Sequence, residues 1–525
     1  MARLKTLLDQ IDSGELALPE IQRDFVWNKK NVLLLFDSLY RELPIGYMLV
    51  WKAKTAIADK PFKGWKKRKV GQAIESFYGY LLDGQQRLTA IRLVRDGDDN
   101  YPLMFSLKPD DEEKPDEDRF SYRTKWKLNN PWFVSVTDVI TDQVRGHQLI
   151  EQLKENTNDF NPDTDADRIY ASVSKLKSVL DYNIGVIEYE DNHYRKATEL
   201  FIRFNSTGKK LKGTDLVAAE LALVVPELIS QGINNTGRKF SPQFSFSSPF
   251  LIQCLAAVHT GKMSIKKPKD VWSGSDDREI KQSWKRTERG LGRIIEFLTG
   301  TVKWDSVSWL PSINSIIPLV YLLSQNRFNV EERRMARKWL LSANIYAVFS
   351  GAVHSELDRI LRGLKKDPSM QKLINLTRRD MGIIKPYFFE TRRKSGPAMS
   401  LYISTLRNNN AKDWISRTPL DGSVIGHNAE LQVHHFFPQK LLYDNGYNSE
   451  QINTFANYTV INKETNLDIS SEEPINYIRK RKIKKKDLQE QSIPLDKSLW
   501  TVNRYEDFLN ARRKLLAKNT NAFLS

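Results

Sequence analysis

The chain has a single cysteine, Cys254, among 525 residues. One cysteine excludes an intrachain disulfide and a cysteine-based zinc cluster, and both exclusions fit a reducing compartment such as the cytoplasm. Long apolar runs are also missing. No stretch approaches the roughly 20 residues that a helix needs to span a bilayer, so no membrane partner is expected. Residues 1–10 carry no long apolar core and do not read as a secretory leader. No internal repeat of fixed period occurs, which excludes a solenoid. Acid is in deficit as well: 64 Asp and Glu face 81 Lys and Arg, a formal net charge of +17. Such an excess creates a positive field that attracts polyanions, and nucleic acid is the commonest of these in cytoplasm.

A length of 525 residues implies two or three domains, and 40% hydrophobic content can fill their cores. Residues 1–230 mix element types. Helical spacing of apolar residues covers 4–11, 32–39, 197–204 and 215–225, and β-branched and aromatic content marks strands at 47–51, 77–82, 103–107, 132–136 and 184–189. This predicts an α+β domain. Residues 231–246 are rich in turn formers and read as a connection opening a second, helical region over 231–413. Helical spacing there covers 280–298, 313–323, 331–349 and 356–364, with Trp284 and Trp339 expected in its core. A third domain spans 414–525 and closes with an amphipathic helix over 505–517. The positive charge is clustered. Lys63, Lys66, Lys67 and Arg68 are interleaved with Phe62 and Trp65, Arg479 to Lys486 holds seven basic residues, and Asp110 to Asp118 is an acidic counter-block that reads as a solvated loop.

Within the third domain, Leu431-Gln-Val-His434-His435-Phe-Phe-Pro438 is followed by Phe455-Ala-Asn457-Tyr-Thr-Val-Ile461 and by Asn466. A strand bearing a ligand and a base, a strand bearing an orienting Asn, and a helix returning a second ligand make up a ββα-metal site. Such a site supplies what phosphodiester hydrolysis needs: a base for water, a cation for the phosphate and support for the leaving oxygen. His435 is the candidate base because a neutral imidazole accepts a proton near physiological pH. His434 and Asn466 are candidate ligands for a divalent cation, magnesium or manganese. Asn457 is expected to hold the first strand and fix the His435 imidazole. Neighbours on a regular strand face opposite sides, so His434 and His435 share a site only where the strand twists or bulges. His427, in a Gly-Ser-rich turn, is a weaker substitute. The bland alternative is a half-buried His pair beside turn asparagines.

A second polar string, Leu82-Asp83-Gly84-Gln85-Gln86-Arg87-Leu88, runs from a strand through a tight turn into a helix. That geometry aims free backbone N–H groups at the turn. Gly84 permits close approach of a phosphate, Arg87 offers a planar fork, Gln85 and Gln86 can orient water or a ligand, and Asp83 can hold a cation or a sugar hydroxyl. The bland alternative is Asp83 capping the helix and Arg87 as surface charge. Two more segments carry suitable groups: Gln22-Arg23 in the loop from Leu18 to Trp27, and Asn205-Ser206-Thr207-Gly208 after a helix.

These residues together resemble a known family. Asp83-Gly84-Gln85-Gln86-Arg87, with Gln22-Arg23 before and Asn205 to Gly208 after, is similar to the N-terminal domain of GmrSD-type modification-dependent restriction enzymes, a domain related to the ParB/sulfiredoxin fold. His434-His435-Phe-Phe-Pro438 with Asn457 and Asn466 resembles the HNH nuclease domain that closes the same family. The resemblance implies antiphage defence. The N-terminal domain is implied to bind and hydrolyse a nucleoside triphosphate, GTP or ATP, through Asp83, Gln86 and Arg87, with Gln22, Arg23, Gly84, Gln85, Asn205 and Gly208 around it. The C-terminal domain is implied to cut modified DNA with His435 and a divalent metal. Further copies of the chain, or defence proteins of the same operon, are the other partners implied. One departure is His434, which stands where HNH sites often carry an acid.

The expectation is therefore a triphosphate-regulated, modification-dependent DNA endonuclease. Two alternatives remain open: a nucleic-acid-binding regulator with an inactive nuclease fold, and an effector that depletes nucleotides or cuts RNA.

Overall fold

Leu4, Leu7, Leu8 and Ile11 fall on one helical face, and the helix Leu4–Ser13 buries all four. It stops at Gly14, whose φ of 81° suits glycine and whose N–H returns to the Ile11 carbonyl. In the computed structural model the residues described are 1–19, 22, 25–53, 59–60, 78–108, 119–191, 196–201, 213–225, 227–241, 243–263, 269–377, 383–420 and 431–525. They divide into two units, Met1–Gln231 and Gly232–Ser525. Among them no helix is long and apolar enough to cross a membrane.

The first unit is mixed α/β. Its strands are β1 (Ala2–Arg3), β2 (Leu16–Pro19), β3 (Tyr47–Lys52), β4 (Asp59–Lys60), β5 (Gly79–Asp83), β6 (Leu103–Ser106), β7 (Phe120–Tyr122), β8 (Phe133–Ser135) and β9 (Asn183–Glu190). Six of them form one sheet in the order β1-β9-β3-β5-β2-β4, and a smaller sheet runs β7-β6-β8. One face of the large sheet, with Met48, Val50 and Leu81, joins a core shared with the helices Leu4–Ser13, Lys29–Tyr40 and Gln85–Arg95. Leu49, Trp51, Tyr80 and Leu82, of opposite parity, are buried too, so the sheet is covered on both sides. β3 and β5 run antiparallel with a register shift between Leu49 and Val50, beside the pair Leu49–Asp83. A bulge there bends the strand and re-aims its end.

The second unit is rich in helix. Asp277–Phe297 buries Ile280, Trp284, Leu291, Ile294 and Phe297 and packs against Ile317–Gln325. Trp284 and Trp339 are both buried, as core residues should be. The turn-rich reading of 231–246 requires correction: Leu228–Ile233 forms a π-helical turn and Asn234–Phe240 an α-helix. Local propensity yields here to tertiary anchoring, because Ile233 is buried and the Thr236 hydroxyl donates to Glu288 at 2.9 Å. Near the C-terminus β10 (Leu431–His435) pairs antiparallel with β11 (Tyr458–Asn462), and the helix Lys463–Ile469 follows directly. The last helix, Tyr505–Leu524, places Phe508 and Leu509 in the core beneath this hairpin.

Candidate functional site

In the first unit, the Asp83 turn is built by close approach. Gly84 has φ of 101°, and a Cβ there would lie 1.8 Å from the Met48 sulfur. It stands at the N-cap of Gln85–Arg95, which has no side-chain cap and no acid in its first turn. Asp83 therefore does not cap the helix. Its carboxylate instead pairs with Arg87 at 2.7 Å. The Arg87 fork also donates to the Ile45 carbonyl at 2.5 Å and the Tyr47 carbonyl at 2.7 Å. Gly46, with φ of 91°, makes room for it, since a Cβ at Gly46 would lie 2.6 Å from Nη1. Burial lowers the pKa of Arg87 from its ordinary value, and Asp83 raises it in part. The guanidinium thus ties the turn to the start of β3.

The loop after β2 meets this turn. Gln22 is buried and donates through Nε2 to the Leu81 carbonyl at 3.1 Å and to that of Leu82. Gln86 accepts from the Val26 N–H at 2.8 Å. Gln85 is buried at the helix start. Arg23, Asn205 and Gly208 lie outside the described residues, as do the basic residues 61–69, the acidic block 110–118 and His427.

In the second unit, His434 stands opposite Thr459 and His435 opposite Tyr458 in a regular ladder with no bulge. The two imidazoles accordingly take different partners. His434 Nδ1 contacts Asn466 Oδ1 on the following helix. His435 Nε2 lies 3.0 Å from Asn453 Oδ1. The Asn453 amide nitrogen donates to the Ser449 carbonyl at 2.9 Å, so its oxygen faces the ring. Burial pushes the pKa of His434 down to about 4. His435 is likewise pushed down to about 4 by burial, against the Asn453 hydrogen bond and with help from the Lys394 charge. Both rings are neutral at pH 7. An amide oxygen only accepts, so each ring donates to its Asn, which leaves the lone pair on Nε2 of His434 and on Nδ1 of His435. His434 Nε2 is buried and has no hydrogen-bond partner among the described residues.

Asn457 is placed differently from the expectation that it fixes the imidazole. It accepts from the Phe437 N–H at 2.9 Å and donates to the Phe437 and Ile452 carbonyls, both at 3.2 Å. It therefore pins the chain as it leaves β10, while Asn453 takes the contact with His435. Asp413, fully buried, accepts from the Asn462 N–H at 2.7 Å and the Thr465 hydroxyl at 2.6 Å, and so fastens the start of Lys463–Ile469. On the last helix Arg512 is buried and donates to the Ala456 carbonyl at 2.9 Å, next to Asn457. The basic run 479–486 is only partly free: Arg481 is bound to Asp468 and Glu472, whereas Arg479, Lys482, Lys484 and Lys485 are exposed without an ion pair among the described residues.

Known proteins bear on the first of these regions. Residues 4–222 match the family described as "GmrSD restriction endonuclease, N-terminal domain". The match points the chain toward restriction-type endonuclease defence, in which DNA is the substrate. An uncharacterized protein of Methanocaldococcus jannaschii is 23% identical over an alignment covering 90% of this chain and 86% of the relative. The matched GmrSD-type region contains Gln22 and the whole Asp83–Arg87 turn. It ends well before the histidine hairpin, whose case rests on its own geometry.

Three contributors escaped the sequence reasoning. Asn453 has no signal beyond its place after the short helix Ser449–Ile452, and Asp413 none beyond a lone acid before Trp414. Arg512 reads as an ordinary basic position on an amphipathic helix.

Proposed function

We propose that the chain is a metal-dependent DNA endonuclease of antiphage defence, regulated by a nucleoside triphosphate and directed to modified DNA. The observation that carries the nuclease part is the pair of neutral imidazoles at His434 and His435, each oriented by its own Asn, beside a strand–strand–helix junction. The GmrSD match of residues 4–222 supports the restriction setting.

The residues fit a divalent cation. A buried imidazole lone pair without a partner costs roughly 1–3 kcal/mol, and a bound ion would relieve that cost. His434 would hold the ion, magnesium or manganese, through that Nε2 lone pair, and the ion would neutralise charge on the scissile phosphate when bound. Asn466, expected as a second ligand from its place in the motif, accepts from Nδ1 on the opposite side of the ring and so would orient His434. His434 is uncharged. No group of three or more His, Cys, Asp or Glu among the described residues could hold a metal alone. Water and phosphate oxygens would complete the shell, so metal and DNA bind together. His435, with its lone pair on Nδ1, serves as the base for the attacking water, and Asn457 and Asn453 keep its loop and ring in place.

In the N-terminal unit the triphosphate, GTP or ATP, sits at the positive end of the helix Gln85–Arg95, close to Gly84 and Gln86. Gln22, Asp83 and Arg87 shape the turn, and Arg23, Asn205 and Gly208 belong to the same proposal by position in the motif.

One observation favours a second reading, a DNA-binding regulator with an inactive nuclease fold: the two candidate ligands, His434 and Asn466, include no carboxylate. A cleavage assay separates the two. Plain plasmid, phosphorothioate plasmid and DNA carrying modified cytosine are incubated with protein, magnesium or manganese, with and without triphosphate. Metal-dependent cutting of one modified DNA is the expected result. Tight binding of DNA with no cutting under any condition would establish the regulator.

A further inference from the structure

The segment Thr391–Lys394 lies some forty residues before the histidine hairpin, yet it is fastened to the hairpin's loop in three places. The Phe455 N–H donates to the Thr391 carbonyl at 2.8 Å. The Tyr458 hydroxyl donates to the Arg392 carbonyl at 3.1 Å. The Arg392 guanidinium forks onto Glu450 at 2.7 and 2.8 Å. Beneath the segment, Phe389 packs on Phe455 with ring centroids 5.5 Å apart. An exposed ion pair adds little stability, but together with two backbone anchors it sets a fixed position.

That position delivers charge. With Arg392 spent on Glu450, Arg393 and Lys394 are left exposed, and neither makes an ion pair among the described residues. Lys394 Nζ lies 5.4 Å from the centre of the Tyr458 ring. His435 also meets that ring, 5.1 Å away and edge-on. Lys394 and His435 thus both lie against the Tyr458 ring, and the Lys394 cation is the exposed member of the three. A solvated charged face would need none of these anchors, and nearby surface acids would ordinarily neutralise it.

We infer that Arg393 and Lys394 form an arm that binds DNA phosphates beside His435, holding the backbone of the substrate at the cutting site. The inference rests on the DNA-endonuclease reading and names a contact surface outside the hairpin and its helix. Lys394, which shares the Tyr458 ring with His435, contacts the phosphate nearest the cut, and Arg393 its neighbour. Backbone contacts of this kind position the duplex without reading its sequence.

The test is a salt titration of DNA binding in the full chain carrying His435→Ala, so that cutting does not consume the substrate. Each phosphate contact contributes about 0.9 to the slope of log affinity against log salt. Adding Arg393→Gln and Lys394→Gln is expected to flatten the slope by about 1.8, equally for plain and modified DNA. Arg393→Lys with Lys394→Arg is expected to keep it. In the chain with His435 intact, the Gln pair is expected to lower cutting while the melting temperature stays unchanged. If the His435→Ala protein binds DNA with a steep slope, the Gln pair leaves that slope unaltered and cutting by the otherwise intact chain is undiminished, the arm is wrong and the nuclease stands. If the intact chain neither binds nor cuts any DNA, both fall together.

Discussion

The two polar motifs invite comparison because they use their residues in opposite ways. In the N-terminal turn the conspicuous charge is Arg87, and it is engaged by Asp83 and by two carbonyls at the start of β3. In the C-terminal hairpin the conspicuous residues are neutral, and His434 carries a buried lone pair with no partner among the described residues. A charged motif residue can therefore be part of the frame of a turn. A neutral pair can be the reactive part. The number of formal charges in a motif does not rank its members by chemical role.

This contrast can be broken or sharpened by substitution. The largest stability loss is expected at Arg87. Arg87→Ala removes the ion pair to Asp83 and the donor to two carbonyls and should cost about 3–5 kcal/mol. Loss of triphosphate binding should then come with a lower melting temperature of the N-terminal unit, read by calorimetry. A stable Arg87→Ala protein that fails only in nucleotide binding would make Arg87 a direct phosphate ligand. Asn457→Ala should cost about 2–3 kcal/mol, because it strands the Phe437 N–H and two carbonyls in a buried place. Gly84→Ala introduces a methyl against the Met48 sulfur at a left-handed φ and should cost about 2 kcal/mol. Asn453→Ala lies at the other end of the scale. It should hardly change the melting temperature, yet lower the cutting rate about tenfold to hundredfold by freeing the His435 ring. Single-turnover kinetics at saturating DNA measures this, and an unchanged rate would remove Asn453 from the site.

What was legible in the sequence follows the same contrast. The helix Leu4–Ser13 was visible because burial on one face imposes a period, and strand β3 was visible through its aromatic and β-branched residues, being buried on both faces. The strand–turn–helix around Gly84 was visible because glycine, polar residues and helical spacing follow in order. The Asn234–Phe240 helix was hidden, since its turn-forming residues are held by Ile233 and by the Thr236–Glu288 hydrogen bond, both products of distant packing. Among site residues, the order His434, His435, Asn457, Asn466 was visible as spacing. The pairing was not: which Asn meets His435 depends on how the loop of 436–457 folds back, with Asn453 closing the helix Ser449–Ile452 and Asn457 ending a separate short turn. The arm at Arg393 and Lys394 was hidden for the same reason, being remote in sequence and fastened by backbone carbonyls that no side-chain pattern encodes.

The central claim is that His435 is the base of a DNA-cutting site separate from the triphosphate site. The most direct test compares His435→Ala with the unaltered chain in two assays on the same preparation, DNA cutting with magnesium or manganese and triphosphate hydrolysis. The expected result is loss of cutting with hydrolysis and melting temperature preserved. Full cutting by His435→Ala would contradict the account.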